Sequence, residues 1–440
     1  MNKIWSKMVR SLAAMACVLA ATAIFSITPG AQASDKITLK DGKVIEGSIV
    51  REVDGYLWVK YAIGGIDHEQ MFRPDEISSI DRDAPAADPA KIDGSPASAP
   101  DGTAPKMVKD GVPRATVITL GSRETDQGDT VGIYMTAHAL DEMVPLLKEE
   151  LGDDGSGVVV FRVTSGGGLL LEIERISDEI QNVYKKNFRT VAWIDSAISA
   201  AAMSSHCIEE IYFTPQGNYG ACTGWSGALV AVKGRGLEEV LYLMQRISAR
   251  GGYDKLIMRS MQIQQPLSAT IDANGEVKWY NDATSGEILV NRDNEILTFN
   301  AETAKRVKFS KGTASNIEEL RKLMGYQELN WVGKQVKGTP WPVSKAEEWN
   351  IAYRKQVHKD EEHVQQYFRS YNLQIQAAMA EQTKEGRGKF VNQARQTLQR
   401  LRDACRTNPN FGLLQLNVTN EKDLRDFFEA QEKRLRDLLR

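Results

Sequence analysis

The chain has 440 residues, 42% hydrophobic and 26% charged, with a formal net charge of −3. That length exceeds one typical domain and predicts two or three. The near-neutral balance gives no electrostatic case for nucleic acid or for an anionic membrane surface, so neither is expected as a partner.

Residues 1–33 read as a secretory signal peptide. Lys3, Lys7 and Arg10 precede an apolar stretch from Leu12 to Phe25, and Ala31-Gln32-Ala33 has the small-residue pattern of a cleavage site. The protein is therefore expected to be exported, to the periplasm, another extracytoplasmic space or the medium. The apolar stretch is short for a spanning helix, and only an uncleaved N-terminus would tie the chain to a membrane. Beyond it remain Cys207, Cys222 and Cys405, an odd number that argues against a disulfide framework, with a spacing that suits no zinc site. No metal or cofactor is expected.

Residues 34–83 alternate in polarity and carry Asp41-Gly42, Asp54-Gly55 and Gly64-Gly65 between the runs, which are hairpin signals. The stretch resembles a small SH3-like or Sm-like β-barrel, an interaction or packing module. Residues 84–113 are rich in Pro, Ala, Gly and Asp and read as a flexible linker.

From Arg114 the pattern changes. "ATVITL", "GVVVFRV" and "RTVAWI" are short apolar runs of the kind covered on both faces of a sheet. "HALDEMVPLLKEEL" and "LLLEIERISDEIQNVY" have helical spacing between them. Such alternation predicts an α/β fold with a mostly parallel sheet. Residues 327–440 turn rich in Glu, Gln, Lys and Arg and predict a helical C-terminal unit of three helices, "EEHVQQYFRSYNLQIQAAMAEQ", "GRGKFVNQARQTLQRLRDAC" and "EKDLRDFFEAQEKRLRDLLR". Trp331, Trp341 and Trp349 are expected to pack that unit onto the domain before it.

Two features carry chemistry. Gly166, Gly167 and Gly168 lie between a buried strand and a helix, where a tight turn exposes backbone N–H groups. The run is neither a P-loop nor a G-x-G-x-x-G motif. The second feature is "AWIDSAISAAAMSSHCIEEIYFTP", a strand that enters a small-residue helix. In a parallel sheet the carboxyl ends of both strands share one edge, where ligand sites form. Ser199 falls at that helix start. It could attack a carbonyl whose oxyanion is held by the N–H groups of Gly167, Gly168 and Ala200. The bland alternative is a helix-start residue in a small-residue seam.

The order strand, glycine turn, helix, strand, serine at a helix start, strand, Pro215-x-Gly217 resembles the ClpP/crotonase superfamily, with its repeated ββα core. It is most similar to the signal-peptide-peptidase A (SppA) and NfeD serine peptidases. The stretch from Ser199 through Ile211 to Pro215 keeps the SppA register. Counted forward from Val191, the nucleophile position falls on Ala200; counted back from Ile211, over the longer match, it falls on Ser199. "ILTFNAETAKRVKFSKGTASNIEELRKLMGY" and "ISARGGYDKLIMRSM" resemble NfeD segments, so the likeness covers residues 114–326.

The resemblance implies a Ser–Lys dyad, a peptide or protein substrate and self-association into a homo-oligomer. In NfeD the lysine opens the helix that ends in an Arg-Gly junction, here Arg250-Gly251, which points to Lys233. Lys255, in "GGYDKL", resembles the SppA lysine segment and is the second choice. His206 lies seven residues beyond Ser199, about 10 Å of helical rise, and is too far to be its base. His138, at a helix start, could approach from elsewhere. Ser196, Ser204 and Ser205 read as caps or small packing residues. The leading expectation is an exported serine endopeptidase. The alternatives are a catalytically degenerate relative that binds peptides or acts as a scaffold, and a crotonase-like acyl-CoA enzyme, which export disfavours.

Overall fold

The computed structural model describes residues 35–40, 44–53, 56–63, 66–72, 77–82, 111–122, 129–223, 225–226, 230–231, 235–416, 418 and 421–440. The signal-peptide stretch, nearly all of the linker, and Lys233 lie outside the described residues. The chain divides into two compact units: residues 1–98 with 225–240, and residues 99–224 with 241–440.

In the first unit, β1 (Asp35–Leu39), β2 (Val44–Val53), β3 (Tyr56–Ile63), β4 (Ile66–Phe72) and β5 (Ile77–Asp81) form one sheet in the order β4-β3-β2-β1-β5. Every pairing is antiparallel. Alternation brings Ile37, Ile45, Leu57, Val59 and Phe72 together as its core, as a period of two requires.

The second unit begins with β6 (Arg114–Leu120), β7 (Thr130–Val131) and α1 (Ala137–Leu151). Thr136 caps α1, its Oγ1 accepting from Ala139 N at 3.1 Å. Leu140, Met143, Val144, Leu147 and Leu151 form the buried stripe of that helix. Next come β8 (Val158–Ser165), β9 (Gly167–Gly168) and α2 (Leu170–Glu179), which continues through a π turn, Ile180–Tyr184, into a last turn, Lys185–Asn187. Then β10 (Arg189–Ile198), α3 (Ala200–Ser205) and β11 (Glu210–Gly220) follow. Residues 225–240, which belong to the first unit, hold the short pair β12 (Trp225–Ser226) and β13 (Val230–Ala231) and the start of α4 (Arg235–Arg250); α4 ends in the second unit, where α5 (Lys255–Gln262) follows. A small antiparallel sheet is built from β14 (Leu267–Ile271), β15 (Val277–Tyr280) and β16 (Ile288–Asn291). The segment likened to NfeD folds as β17 (Thr298–Asn300), α6 (Ala301–Arg306), β18 (Gly312–Thr313) and α7 (Ile317–Leu323), with Asn300 and Asn316 as side-chain caps. The chain ends with β19 (Asn330–Trp331), α8 (Lys345–Ala380), α9 (Lys384–Thr407), α10 (Asn410–Gln415) and α11 (Glu421–Asp437).

The main sheet runs β17-β11-β10-β8-β6-β19, with β18 also paired to β11. All of its pairings are parallel except β17 with β11. The fold is thus mixed α/β around a parallel sheet, as the alternation predicted. Val117, Val160, Val191 and Trp193 face one side, against Leu320, Met324 and Trp341. Phe161 and Val163 face the other, with Leu140, Ile176, Ile180 and Ala201 around them. β10 carries a bulge: Ile194 pairs with Val163 and Ser196 with Thr164, leaving Asp195 as the extra residue.

Residues 327–440 share the compact unit of the sheet. The first C-terminal helix starts well before the predicted "EEHVQQYF", at Lys345. Ser344 caps it, accepting from Glu347 N at 3.2 Å, and the Ser-x-x-Glu spacing of a capping box was the overlooked signal. Trp341 meets Trp193 edge-on at 5.8 Å between ring centroids, and Trp331 packs on the same cluster. Trp349 instead stacks on Tyr353 and packs with the helical core. Among the described residues no helix is long and apolar enough to cross a membrane.

Candidate active site

Ser199 joins β10 to α3 with φ 54° and ψ −124°. For a residue with a Cβ this is a sparsely populated conformation that costs on the order of 1–3 kcal/mol. Only Ala221 and Lys308 share positive φ among the described non-glycine residues, and Ala221 lies at the same corner. The neighbours hold Ser199 there. Its N–H donates to Gly220 O at 2.9 Å, its carbonyl accepts from Met203 N at 3.0 Å, and the Cys222 thiol lies 3.7 Å from the same oxygen. Leu297 O and Met261 O in turn accept from Ala221 N and Cys222 N. Ser199 Oγ makes no hydrogen bond to a described residue. A serine displayed on a strained strand-to-helix turn is the geometry of a nucleophile elbow.

The glycine turn abuts it. A Cβ on Gly167, whose φ is 106°, would lie 2.6 Å from Ser199 Cβ and 3.1 Å from its Oγ. A Cβ on Gly168 would meet Val131 O at 2.2 Å. Both glycines are therefore required by contact, and β9 lies directly against the serine. The expected oxyanion donors divide. Gly167 N–H already donates to Ser165 Oγ at 3.1 Å, so that group is engaged within the turn. Ser165 Oγ itself donates to Asp129 O, and Gly166 N donates to Asp129 Oδ2 at 3.3 Å. Gly168 is exposed, and Ala200 is the first residue of α3, where backbone N–H groups lack intrahelical partners. Ser165 and Asp129 were not singled out from sequence. "TSGGG" held a turn signal in Ser165; nothing in the spacing pointed to Asp129.

Of the two candidate lysines, Lys233 lies outside the described residues and Lys255 is described. Lys255 is exposed at the start of α5, whereas the opposite end of that helix, at Met261, meets Cys222. Six residues of rise, about 9 Å, separate the two ends.

His206 is wholly buried at the far end of α3, packed on Tyr253, Tyr219 and Phe309. Its Nδ1 lies 3.1 Å from Tyr219 Oη, and burial pushes its pKa down to about 3. It stays neutral and structural. His138 lies at the start of α1, half-buried. Ser204 and Ser205 donate to Ala200 O and Ala201 O at 2.9 and 2.7 Å, and Ser196 donates to Asn218 Oδ1 at 2.9 Å. All three are packing serines.

The bulge bears on the two ways of counting to the nucleophile. Asp195 is pinned by Arg162 at 3.3 Å and by the hydroxyls of Thr164 and Thr214, while Arg162 lies 4.2 Å over the Trp193 ring. Because β10 carries an extra residue there, a count along the strand shifts by one across it. The backbone marks Ser199, not Ala200, as the residue on the strained turn.

Fold and site together describe a mixed α/β protein that displays a serine on a strained turn at the edge of a parallel sheet. No protein-family model matches the chain. No curated protein matches it either. Among solved structures it is similar to a mutant of 1510-N, a membrane-bound stomatin-specific protease, at 13% identity and a TM-score of 0.35. The likeness covers 49% of this chain and 86% of that one. At that level it transfers no residue roles, and Ser199 stands on its own geometry.

Proposed function

We propose that the chain is a serine endopeptidase of ClpP/crotonase type, nearest to the NfeD and SppA peptidases, with Ser199 as nucleophile. The observation that carries this reading is the strained backbone of Ser199 directly against the glycine turn. Strain of this kind persists only where surrounding structure enforces it, and it clusters at active sites.

In the proposed reaction Ser199 Oγ bonds to the carbonyl carbon of a peptide while its proton passes to a base. The N–H groups of Gly168 and Ala200 stabilise the oxyanion, each such donor contributing about 3–4 kcal/mol at the transition state. The carbon–nitrogen bond then breaks, the base protonates the departing amine, and an acyl-serine ester remains. Water, deprotonated by the same base, attacks the ester and regenerates Ser199. The base proposed is Lys233, on the sequence resemblance alone. Export through residues 1–33 and homo-oligomerisation belong to the same proposal.

The test uses the full chain, an unfolded protein substrate and a fluorophosphonate. Wild type is expected to cleave the substrate and to be labelled at Ser199. Ser199→Ala loses both, by a factor of about a thousand or more in rate. Lys233→Ala loses cleavage, and Lys255→Ala keeps it. Equal turnover by wild type and Ser199→Ala sinks the reading. The second reading, a protein that binds peptides without cutting them, draws on the lack of a hydrogen-bond partner for Ser199 Oγ among the described residues. Saturable peptide binding with no cleavage would select it.

A further inference from the structure

The C-terminal helices reach the glycine turn through a buried polar clasp. Asn408 closes α9 and Asn410 opens α10, and both are buried. Asn408 Nδ2 donates to Ile133 O at 2.8 Å and to Gly132 O at 3.3 Å. Asn410 Nδ2 donates to Gly132 O at 2.8 Å and to Glu172 Oε2 at 3.0 Å. The other Glu172 oxygen accepts from Ala137 N at 2.7 Å, and Arg175 lies 3.5 Å from the carboxylate. Glu172 is itself buried. Next to Ala137, Thr136 and Tyr353 of α8 share a hydrogen bond of 2.9 Å.

What this clasp holds is the segment after β7, and β7 is the strand paired to the glycine turn. Thr130 pairs with Gly167 and Val131 with Gly168. Leu169 N donates to Val131 O at 2.9 Å. The path is therefore continuous, from Asn410 through Gly132 and Val131 to Gly168, with Gly167 against Ser199. A fully partnered buried network fixes position more tightly than apolar contact, because each lost partner leaves a polar group stranded.

We infer that Asn410, acting with Glu172 and Asn408, is a positioning residue that sets the glycine turn against Ser199, so that the C-terminal helices complete the active site. The inference rests on the proposed peptidase reading for its catalytic consequence but not for its structural one. Asn410→Asp keeps the size, removes both N–H donations and sets a second carboxylate beside Glu172. Leu398→Ala, a truncation elsewhere in the same helical core, serves as the comparison for lost stability.

Two readouts on the full-length protein separate the outcomes. Hydrogen exchange of the Leu169 amide is expected to quicken about tenfold in Asn410→Asp and to stay near wild type in Leu398→Ala, within the range by which such networks couple sites. The kcat for peptide cleavage should fall about tenfold in Asn410→Asp with KM unchanged. Unchanged exchange at Leu169, or equal quickening in both variants, overturns the inference whatever the activity. Quickened exchange in a protein whose wild type does not cleave upholds the brace and defeats the peptidase reading instead.

Discussion

Two strands of the parallel sheet, β10 and β6, end in opposite ways. β10 runs into Ser199, a corner of small residues where the backbone is strained and Oγ has no described hydrogen-bond partner. β6, two places along the sheet, ends against a dense polar clasp from α8. There Thr119 N donates to Glu347 Oε2 at 2.9 Å, and Asn350 Nδ2 donates to Thr119 O at 2.8 Å. Arg354 donates to Thr119 Oγ1 at 2.9 Å and to its carbonyl, and lies 3.9 Å from the Glu347 carboxylate. Thr116 reaches the cap residue Ser344 at 2.8 Å. The same sheet edge is plugged at one strand and left chemically available at another. Buried charge is used where a helix must dock in one register, and backbone strain is kept where a side chain must be presented.

The largest expected effect tests the plugged side. Burial raises the Glu347 pKa and lowers that of Arg354, so each depends on the other and on Thr119. Glu347→Ala strands a buried guanidinium and should cost about 3–5 kcal/mol in a denaturant titration. A loss below about 1 kcal/mol, typical of a solvent-exposed ion pair, would dissolve the contrast.

A smaller effect of opposite sign is expected at the available side. Ser199→Gly removes the Cβ that makes φ 54° costly, so it should stabilise the fold by about 1 kcal/mol while abolishing cleavage. A destabilised Ser199→Gly protein would mean that the corner stores no strain.

A further effect, read in the pH dependence of stability, concerns a carboxylate that has neither arrangement. Glu179 Oε1 is buried without a hydrogen-bond partner. Burial, with help from Asp141, raises its pKa from 4.5 to about 7. The folded state therefore holds a proton that the unfolded chain releases. Stability from this group falls as pH rises from about 4.5 through about 7 and is level above. Glu179→Gln should flatten the slope of Tm against pH across that window. An unchanged slope would show that Glu179 ionises freely in the fold.

Much of this architecture was legible in the sequence, and unevenly. The strands of the sheet, the helix α1 and the glycine turn follow from local patterns that burial imposes directly: continuous apolar runs, helical spacing, and glycine where backbone meets backbone. Ser199 was readable as the serine at a strand–helix junction. The early start of α8 was readable too, from the Ser344-x-x-Glu347 capping box. Lys255, the second choice for the base, was named on motif likeness, which carries no information about exposure.

The sequence by itself determined the order of strands and helices, the antiparallel alternation of the first unit, and the placing of a serine and a glycine run at one edge of a parallel sheet. Only the tertiary structure decided that Gly167 N–H is engaged by Ser165, that Asp195 bulges, that Ser199 takes φ 54°, and that Asn408 and Asn410 brace Gly132. The reason is physical. Periodicity records which face of a segment is buried, a local property. Register, strain and hydrogen bonds between groups more than two hundred residues apart depend on how separate elements pack, and no spacing along the chain encodes that.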